Sequence, residues 1–523
     1  MAISDSAESP TTERPDRKVT ASWAALALIQ LLFANGRNTI AVAAWLAPVF
    51  LLRFVRSTTP RLGLPVAWLL LAGAFVFQFR GMVPIPGIWY LVLAAVYGLV
   101  ETVPFVLDRF VAHRIGSFTS TLVLPCAWVM TEYLVAKFTP YGSWGAAAYS
   151  QHENLALLQI VSITGLYGVT FLIAWFAAVC NWAWERRFEW HEIRHGVAWF
   201  AAVALAVLFY GGARLALTPP ESPSVRVASL TKPDIELFSN PEVARRAMIG
   251  AITADELEDI RRRGESINGD LMLRAEREAL AGARVVFWGE ANAFALKDDE
   301  PSFIHQGVEL ARNRSIYLGM AVGIWSPEGS SPFENKIVLI DPSGDVAWES
   351  LKAIPVPGPE AAISARDDGR IRMIETPYGR ISSVICFDMD FPELLKQAGR
   401  QHTDILLVPS NDWKEIDPWH SEMARFRAIE QGFNLVRHAS NGLSIATDYQ
   451  GRVLSRMDHF TTADRVLISE VPTRGVDTVY SRIGDLFAWL CVITVLASIV
   501  LAWRNQRAST SLSSSRNPAR TTG

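Results

Sequence analysis

Ser382-Ser383-Val384-Ile385-Cys386-Phe387-Asp388-Met389-Asp390-Phe391-Pro392-Glu393 reads as an apolar strand that stops at a cysteine and resumes, at Pro392, as a helix. A thiol at the end of a buried strand is well placed to be a positioned nucleophile. The residues after it can turn backbone N–H groups toward a developing oxyanion. A free cysteine on its own is more often a small buried hydrophobe. The functional reading therefore depends on what the rest of the chain brings to this point.

Strand and helix patterns alternate on both sides of it. Val225–Leu230, Val285–Trp288, Ile316–Ile324, Lys336–Ile340, Ile381–Ile385 and Ile405–Val408 read as strands, followed by strands at 434–438, 443–448 and 465–471. Between them, a charged helix is expected over roughly 253–281, opened by the capping pattern Thr253-Ala254-Asp255-Glu256. Further helices are expected over 301–313, 392–399 and 420–432. Such alternation over some 250 residues predicts an α/β sandwich with helices outside.

Three groups follow apolar strands in this stretch: Glu290, Lys352 and Cys386. A carboxylate, an ammonium and a thiol suit acyl transfer. Glu290 would take the thiol proton, Cys386 would attack a carbonyl or nitrile carbon, and Lys352 would stabilise the tetrahedral intermediate. Lys336 is a rival for the lysine role, but the spacing to Pro357 and Glu360 favours Lys352.

The remainder of the chain is of another kind. Half of the 523 residues are apolar, 18 are Trp, and the mean hydropathy is +0.19, a composition that points to a membrane protein with a soluble part. A net charge of −3 gives no sign of nucleic-acid binding. Apolar stretches near 21–35, 39–55, 63–82, 86–106, 117–136, 159–182, 196–213 and 484–503 are candidate spans. No small-residue cleavage site follows the first, so no removable signal peptide is expected. Lys and Arg collect on alternate connections: Arg14, Arg17 and Lys18; Arg53, Arg56 and Arg61; Arg109 and Arg114; Arg186, Arg187 and Arg194; Arg504, Arg507, Arg516 and Arg520. Only Arg37, Arg80 and Lys137 occupy the short loops between those groups. The bias puts both tails in the cytoplasm and residues 215–482 outside it. The expected division is a tail (1–20), a membrane domain of about seven helices (21–214), a catalytic domain (215–482), a last transmembrane helix (483–504) and a second tail (505–523).

Segment 138–158, in which Phe138-Thr139-Pro140-Tyr141-Gly142-Ser143-Trp144-Gly145 mixes aromatics with small residues, reads as an interfacial loop carrying an aromatic belt, a surface over which lipid or substrate would enter. Of Cys126, Cys180, Cys386 and Cys491, only Cys386 lies in the soluble-looking part. That leaves no disulfide and no Cys-x-x-Cys metal pair there.

The pattern resembles the carbon–nitrogen hydrolase (nitrilase) superfamily, with its Glu–Lys–Cys triad and α-β-β-α sandwich. The whole layout is similar to the apolipoprotein N-acyltransferase branch. Lys352, Pro357 and Glu360 match Lys-x4-Pro-x2-Glu, Asn335 matches a Tyr-Asn pattern with Phe333 in the aromatic place, and Cys386 with Phe391-Pro392-Glu393 matches the cysteine elbow. Pro409-Ser410-Asn411-Asp412, Pro418-Trp419-His420 and Ser440-Asn441-Gly442 extend the match. Departures are Gly289 for a proline, Phe387 and Asp388 for Tyr and Glu, and a short polar stretch from Glu360 to Arg380 in place of a long apolar arm. The resemblance implies Glu290, Lys352 and Cys386 as catalytic residues, supported by Glu360, Asp388, Asn335 and Phe387. No metal or other cofactor is implied. It implies a phospholipid acyl donor, a diacylglyceryl-cysteine lipoprotein acceptor, and a multi-pass place in a bacterial inner membrane with the catalytic domain periplasmic. The missing arm and Asp388 keep open a membrane-tethered amidase or nitrilase acting on a small extracytoplasmic substrate, or a lipid-binding remnant.

Overall fold

The computed structural model describes residues 16–248, 251–326 and 331–515. Residues 1–15 and 516–523, which make up much of the two expected tails, lie outside the described residues.

Among the described residues, six helices are long and apolar enough to cross a membrane: Pro60–Gln78, Ile88–Ile115, Phe118–Phe138, Tyr167–Glu185, Trp190–Leu217 and Leu486–Arg507. Two shorter helices, Arg17–Leu32 and Ala41–Ser57, precede them. Tyr167–Glu185 is the central helix, largely buried among its neighbours, whereas Trp190–Leu217 leaves most of its apolar surface exposed, as a lipid-facing helix does. The stretch expected to span from 159 is broken at Gly165, whose φ of +65° ends the turn Val161–Thr164 before the long helix starts at Tyr167.

Thirteen strands occur among the described residues: β1 (Ser224–Leu230), β2 (Val285–Trp288), β3 (Ala293–Leu296), β4 (Tyr317–Trp325), β5 (Phe333–Ile340), β6 (Val346–Leu351), β7 (Met373–Thr376), β8 (Gly379–Ser383), β9 (Ile405–Asn411), β10 (Asn434–Ser440), β11 (Leu443–Thr447), β12 (Val453–Asp458) and β13 (Val466–Pro472). They form two sheets, in the orders β13-β1-β2-β4-β5-β6, with β3 on β4, and β12-β11-β10-β9-β8-β7. The central pairs β1–β2, β2–β4, β8–β9 and β9–β10 are parallel, which accounts for their near-continuous apolar sequences, buried on both faces. In β2, Val285 and Phe287 face the other sheet while Val286 and Trp288 face the outer helices. In β9, Ile405 and Leu407 point inward, and Leu406 and Val408 meet the helices Pro392–Arg400 and Trp419–Gln431. Ala254–Leu280 and Glu300–Arg314 cover the first sheet. The first of these starts with a capping box: the Thr253 hydroxyl accepts from the Glu256 N–H, and the Thr253 N–H donates to the Glu256 carboxylate at 3.0 Å. The architecture is thus an α-β-β-α sandwich joined to a multi-helix membrane part.

β8 stops at Ser383, earlier than the expected Ile385. The Ile385 N–H leaves the ladder to donate to the Asp388 carboxylate at 3.0 Å, and the chain turns there.

Candidate active site

The turn after β8 is a short 3₁₀ segment, Cys386–Asp390, with Cys386 at φ +48°. A non-glycine residue in this left-handed region is costly, of order 1–3 kcal/mol, and persists only where the surroundings impose it. Here Asp388 imposes it. One carboxylate oxygen accepts from Ile385 N–H, before the thiol. The other accepts at 2.9 Å from Ile354 N–H, on the loop just after Lys352. A longer contact of 3.4 Å from Ala353 N–H completes the clamp. Burial pushes the Asp388 carboxyl up to about 7, against the pull of these N–H donors. Phe387 stacks edge-on against Phe391 at 5.1 Å and joins the cavity wall.

Lys352 follows β6 and is buried. Its ammonium lies 2.7 Å from Glu290 Oε1 and 2.8 Å from Glu360 Oε1. Burial opposes its charge, but Glu290 and Glu360 outweigh that and hold the ammonium firmly protonated. The ammonium donates to Glu290 Oε1 and to both Glu360 oxygens, the second at 3.0 Å. The Asn335 amide bridges the same carboxylates, donating to Glu290 Oε1 at 2.7 Å and to Glu360 Oε1 at 3.2 Å. Glu290 Oε2 accepts from Asn411 N–H at 2.9 Å, so the β9 end fixes its second oxygen. Glu360, in the short helix Pro359–Ile363, also accepts from Val356 N–H at 2.9 Å, closing the loop that starts at Lys352. Lys336, the rival lysine, points away and pairs with Glu300 and Glu349.

Glu290, Asn335, Lys352, Glu360, Cys386 and Phe387 line one cavity of about 400 Å³; Asp388 stands behind it as the clamp. The Cys386 thiol is pushed well above its ordinary pKa by burial and by Glu290, with Lys352 and Arg437 opposing. It therefore carries its proton at neutral pH and needs a base to become a nucleophile.

Two parts of this cavity were not assigned from sequence. One wall is Met82-Val83-Pro84-Ile85, from the connection between two membrane helices, with Tyr141 and Trp144 beside it. Of the aromatic residues of segment 138–158, Phe138 is exposed and Tyr141 and Trp144 line the cavity. Tyr149 is fully buried and Trp144 faces the cavity, because this segment packs against the hydrolase domain. The second part is a buried ionic network. His420 lies between Asp412, 2.8 Å from Nδ1, and Asp390, 3.3 Å from Nε2. Arg437 grips both oxygens of Asp412 at 2.9 and 2.8 Å. Burial alone would lower the His420 pKa, but Asp390 and Asp412 raise it to about 9, against Arg437. Donor atoms of Cys386, Asp412 and His420 lie within 4.8 Å of one another. A guanidinium already seated on both Asp412 oxygens makes this a neutralised ion network rather than a cation cage. The motifs Asn411-Asp412 and Pro418-Trp419-His420 were visible in sequence, but nothing local shows that two strands and a helix bring them beside the thiol.

Comparison with known proteins gives matches along the chain. The carbon–nitrogen hydrolase family profile matches residues 255–479, and that of the apolipoprotein N-acyltransferase N-terminal domain matches residues 22–179. A protein named apolipoprotein N-acyltransferase from Geobacter metallireducens is 28% identical over 409 residues, covering 73% of this chain and 74% of that one. One of the same name from Rickettsia typhi is 22% identical over 458 residues, covering 82% and 86%. Among solved structures, an amidase of the nitrilase superfamily from Nesterenkonia AN1 superposes with a TM-score of 0.41 at 17% identity, covering 53% of this chain and all of that one. The apolar helices, with the match to the N-acyltransferase N-terminal domain, make the protein a multi-pass membrane protein. Because the membrane part and the hydrolase part match in one polypeptide and in this order, the chain is similar over most of its length to the apolipoprotein N-acyltransferase branch of the carbon–nitrogen hydrolase superfamily.

Proposed function

We propose that the protein moves an acyl chain from a phospholipid to the N-terminal amine of a diacylglyceryl-cysteine lipoprotein through a thioester on Cys386. Glu290 removes the thiol proton as Sγ attacks the ester carbonyl. Lys352 donates to the developing oxyanion, and the departing lysophospholipid oxygen receives the proton from Glu290. The acceptor amine then attacks the thioester and gives its proton to Glu290. The thiolate leaves and recovers that proton, so amide, lysophospholipid and free thiol are the end state. Glu360 and Asn335 hold the Glu290–Lys352 pair, Asp388 holds the turn, and Phe387 shapes the wall.

The observation that carries this reading is the composition of the cavity. A protonated thiol, a carboxylate and an ammonium face a space whose far wall, Met82–Ile85, comes from between two membrane helices. A small-amide hydrolase has no need of that wall. The reading places the protein in a bacterial inner membrane with the hydrolase domain periplasmic, where lipoprotein acceptors are found.

The test is intact-mass analysis after incubation with phospholipid. A gain of one acyl chain, absent in Cys386→Ala, is expected. A folded protein that gains no mass, or a Cys386→Ala variant that still does, would overturn the assignment.

A further inference from the structure

The segment between the membrane helices Phe118–Phe138 and Tyr167–Glu185 touches the nucleophile turn directly. The last carbonyl of that turn, Asp390 C=O, accepts two hydrogen bonds from Ser143, one from its N–H at 2.8 Å and one from its hydroxyl at 2.8 Å. Carbonyls at the end of a helical turn lack partners within the turn, so the membrane part supplies the cap. Since the Ser143 hydroxyl gives its proton to Asp390, it accepts from the Tyr149 hydroxyl at 2.6 Å. Tyr149 in turn accepts from Arg427 at 3.1 Å. Gly142, at φ +57°, makes the close approach possible; a Cβ there would stand 2.3 Å from the Asp390 oxygen. Ser143 and Tyr149 are both buried. The same segment sends Tyr141 and Trp144 into the cavity, and the Trp144 ring meets the His420 ring edge-on at 6.3 Å.

We propose that Ser143 is a positioning residue of the catalytic centre, through which the membrane part sets the geometry of the nucleophile turn. This rests on Cys386 being the nucleophile. The turn is held at both ends. Asp388 ties its start to the loop after Lys352, and Ser143 fixes its last carbonyl. Only with both ends fixed do the thiol, at its left-handed φ, and the Asp390 carboxylate facing His420 keep their places relative to Lys352. Ser143 touches no substrate, so its loss acts on the chemical step and not on lipid binding.

The experiment uses the full-length protein in detergent or vesicles, with Ser143→Ala and Ser143→Thr. Two readouts are taken: the single-turnover rate of acyl-enzyme formation against phospholipid concentration, and the pH profile of Cys386 alkylation by iodoacetamide. The expectation for Ser143→Ala is a 10- to 100-fold fall in the maximal rate, little change in the half-saturating lipid concentration, and a displaced alkylation profile. Ser143→Thr, which keeps the hydroxyl, restores most of the rate. A folded Ser143→Ala protein with wild-type rate and an unmoved alkylation profile would overturn the proposal, as would a threonine variant no better than alanine. Failure of the underlying reading is separately visible, because Cys386→Ala would then still acylate.

Discussion

Replacing Lys352 by methionine would leave Glu290 and Glu360 facing each other in a buried site with no cation between them. Removing one partner of a buried ionic cluster typically costs about 3–5 kcal/mol, because the remaining charges stay desolvated. The expected outcome for Lys352→Met is therefore loss of acyl-enzyme formation together with a clear drop in melting temperature. The double variant Lys352→Met/Glu360→Gln removes one of the stranded charges and should recover part of the stability and none of the turnover. Thermal melts in detergent and intact-mass spectra, run on both, separate the two effects. His420 supplies a second test at this scale. Its pKa is raised from 6.5 to about 9 between Asp390 and Asp412. A group raised on folding contributes stability that is complete below its unfolded value and is lost as pH climbs through the folded value. The stability of the hydrolase domain should thus fall between about pH 6.5 and 9, by on the order of 3 kcal/mol from this residue. In His420→Gln that slope should flatten, with stability lower throughout. A variant whose melting temperature tracks the wild-type slope across this window would show that the imidazole is not charged in the fold.

At the scale of elements, the nucleophile turn and the loop after β6 are separate in sequence and are joined by one side chain. Asp388 accepts from donors on both, and a carboxylate has only acceptors to offer. Asp388→Asn keeps the shape but turns an NH₂ toward one of those N–H groups. An unsatisfied buried pair of this kind costs about 1–3 kcal/mol. The expected result is a stability loss of that size and a rate of thioester formation reduced at least tenfold; unchanged single-turnover kinetics would rule out the clamp. This is also the scale at which sequence and structure part. The long helix Ala254–Leu280 was legible because its cap, Thr253 with Glu256, is local. The strands β2, β4 and β9 were legible because burial on both faces makes them continuously apolar. Missed were β3, β6, β7 and β12. β3 pairs off the main path of its sheet, and the other three are edge strands with half-exposed faces, so their periodicity is weak. Glu290 and Cys386 could be singled out because each follows an apolar run, and Lys352 because of its spacing to Pro357 and Glu360. The His420 network and Ser143 could not, since their partners come from elements up to 247 residues away in the chain.

For the whole molecule, the helix ends sort into two groups, and the sorting constrains topology independently of hydropathy. At one end Arg56 pairs with Asp108 and Glu185, Arg186 donates to the Gly116 carbonyl, and Asn505 donates to the Arg114 carbonyl. This gathers the basic connections at 53–61, 109–116 and 185–194 with the end of the last helix. At the other end the helices meet the hydrolase domain. Trp413 donates to Gly81 C=O, Glu430 accepts from Leu166 N–H, Gln450 donates to Thr218 C=O, and Lys396 pairs with Asp485 at the start of the last helix. Basic residues therefore collect on the face opposite the catalytic domain, and the proposed function together with the positive-inside rule predicts that this face is cytoplasmic. Arg366, exposed on the hydrolase domain, is a suitable reporter position. Cys126, Cys180 and Cys491 lie in apolar helices and Cys386 is buried, so the native thiols contribute little background to a membrane-impermeant maleimide. Arg366→Cys should label in intact cells whose outer membrane has been permeabilised, without disruption of the inner one. Labelling only after the inner membrane is broken would invert the topology and place the thiol and its cavity on the cytoplasmic side, away from any exported lipoprotein.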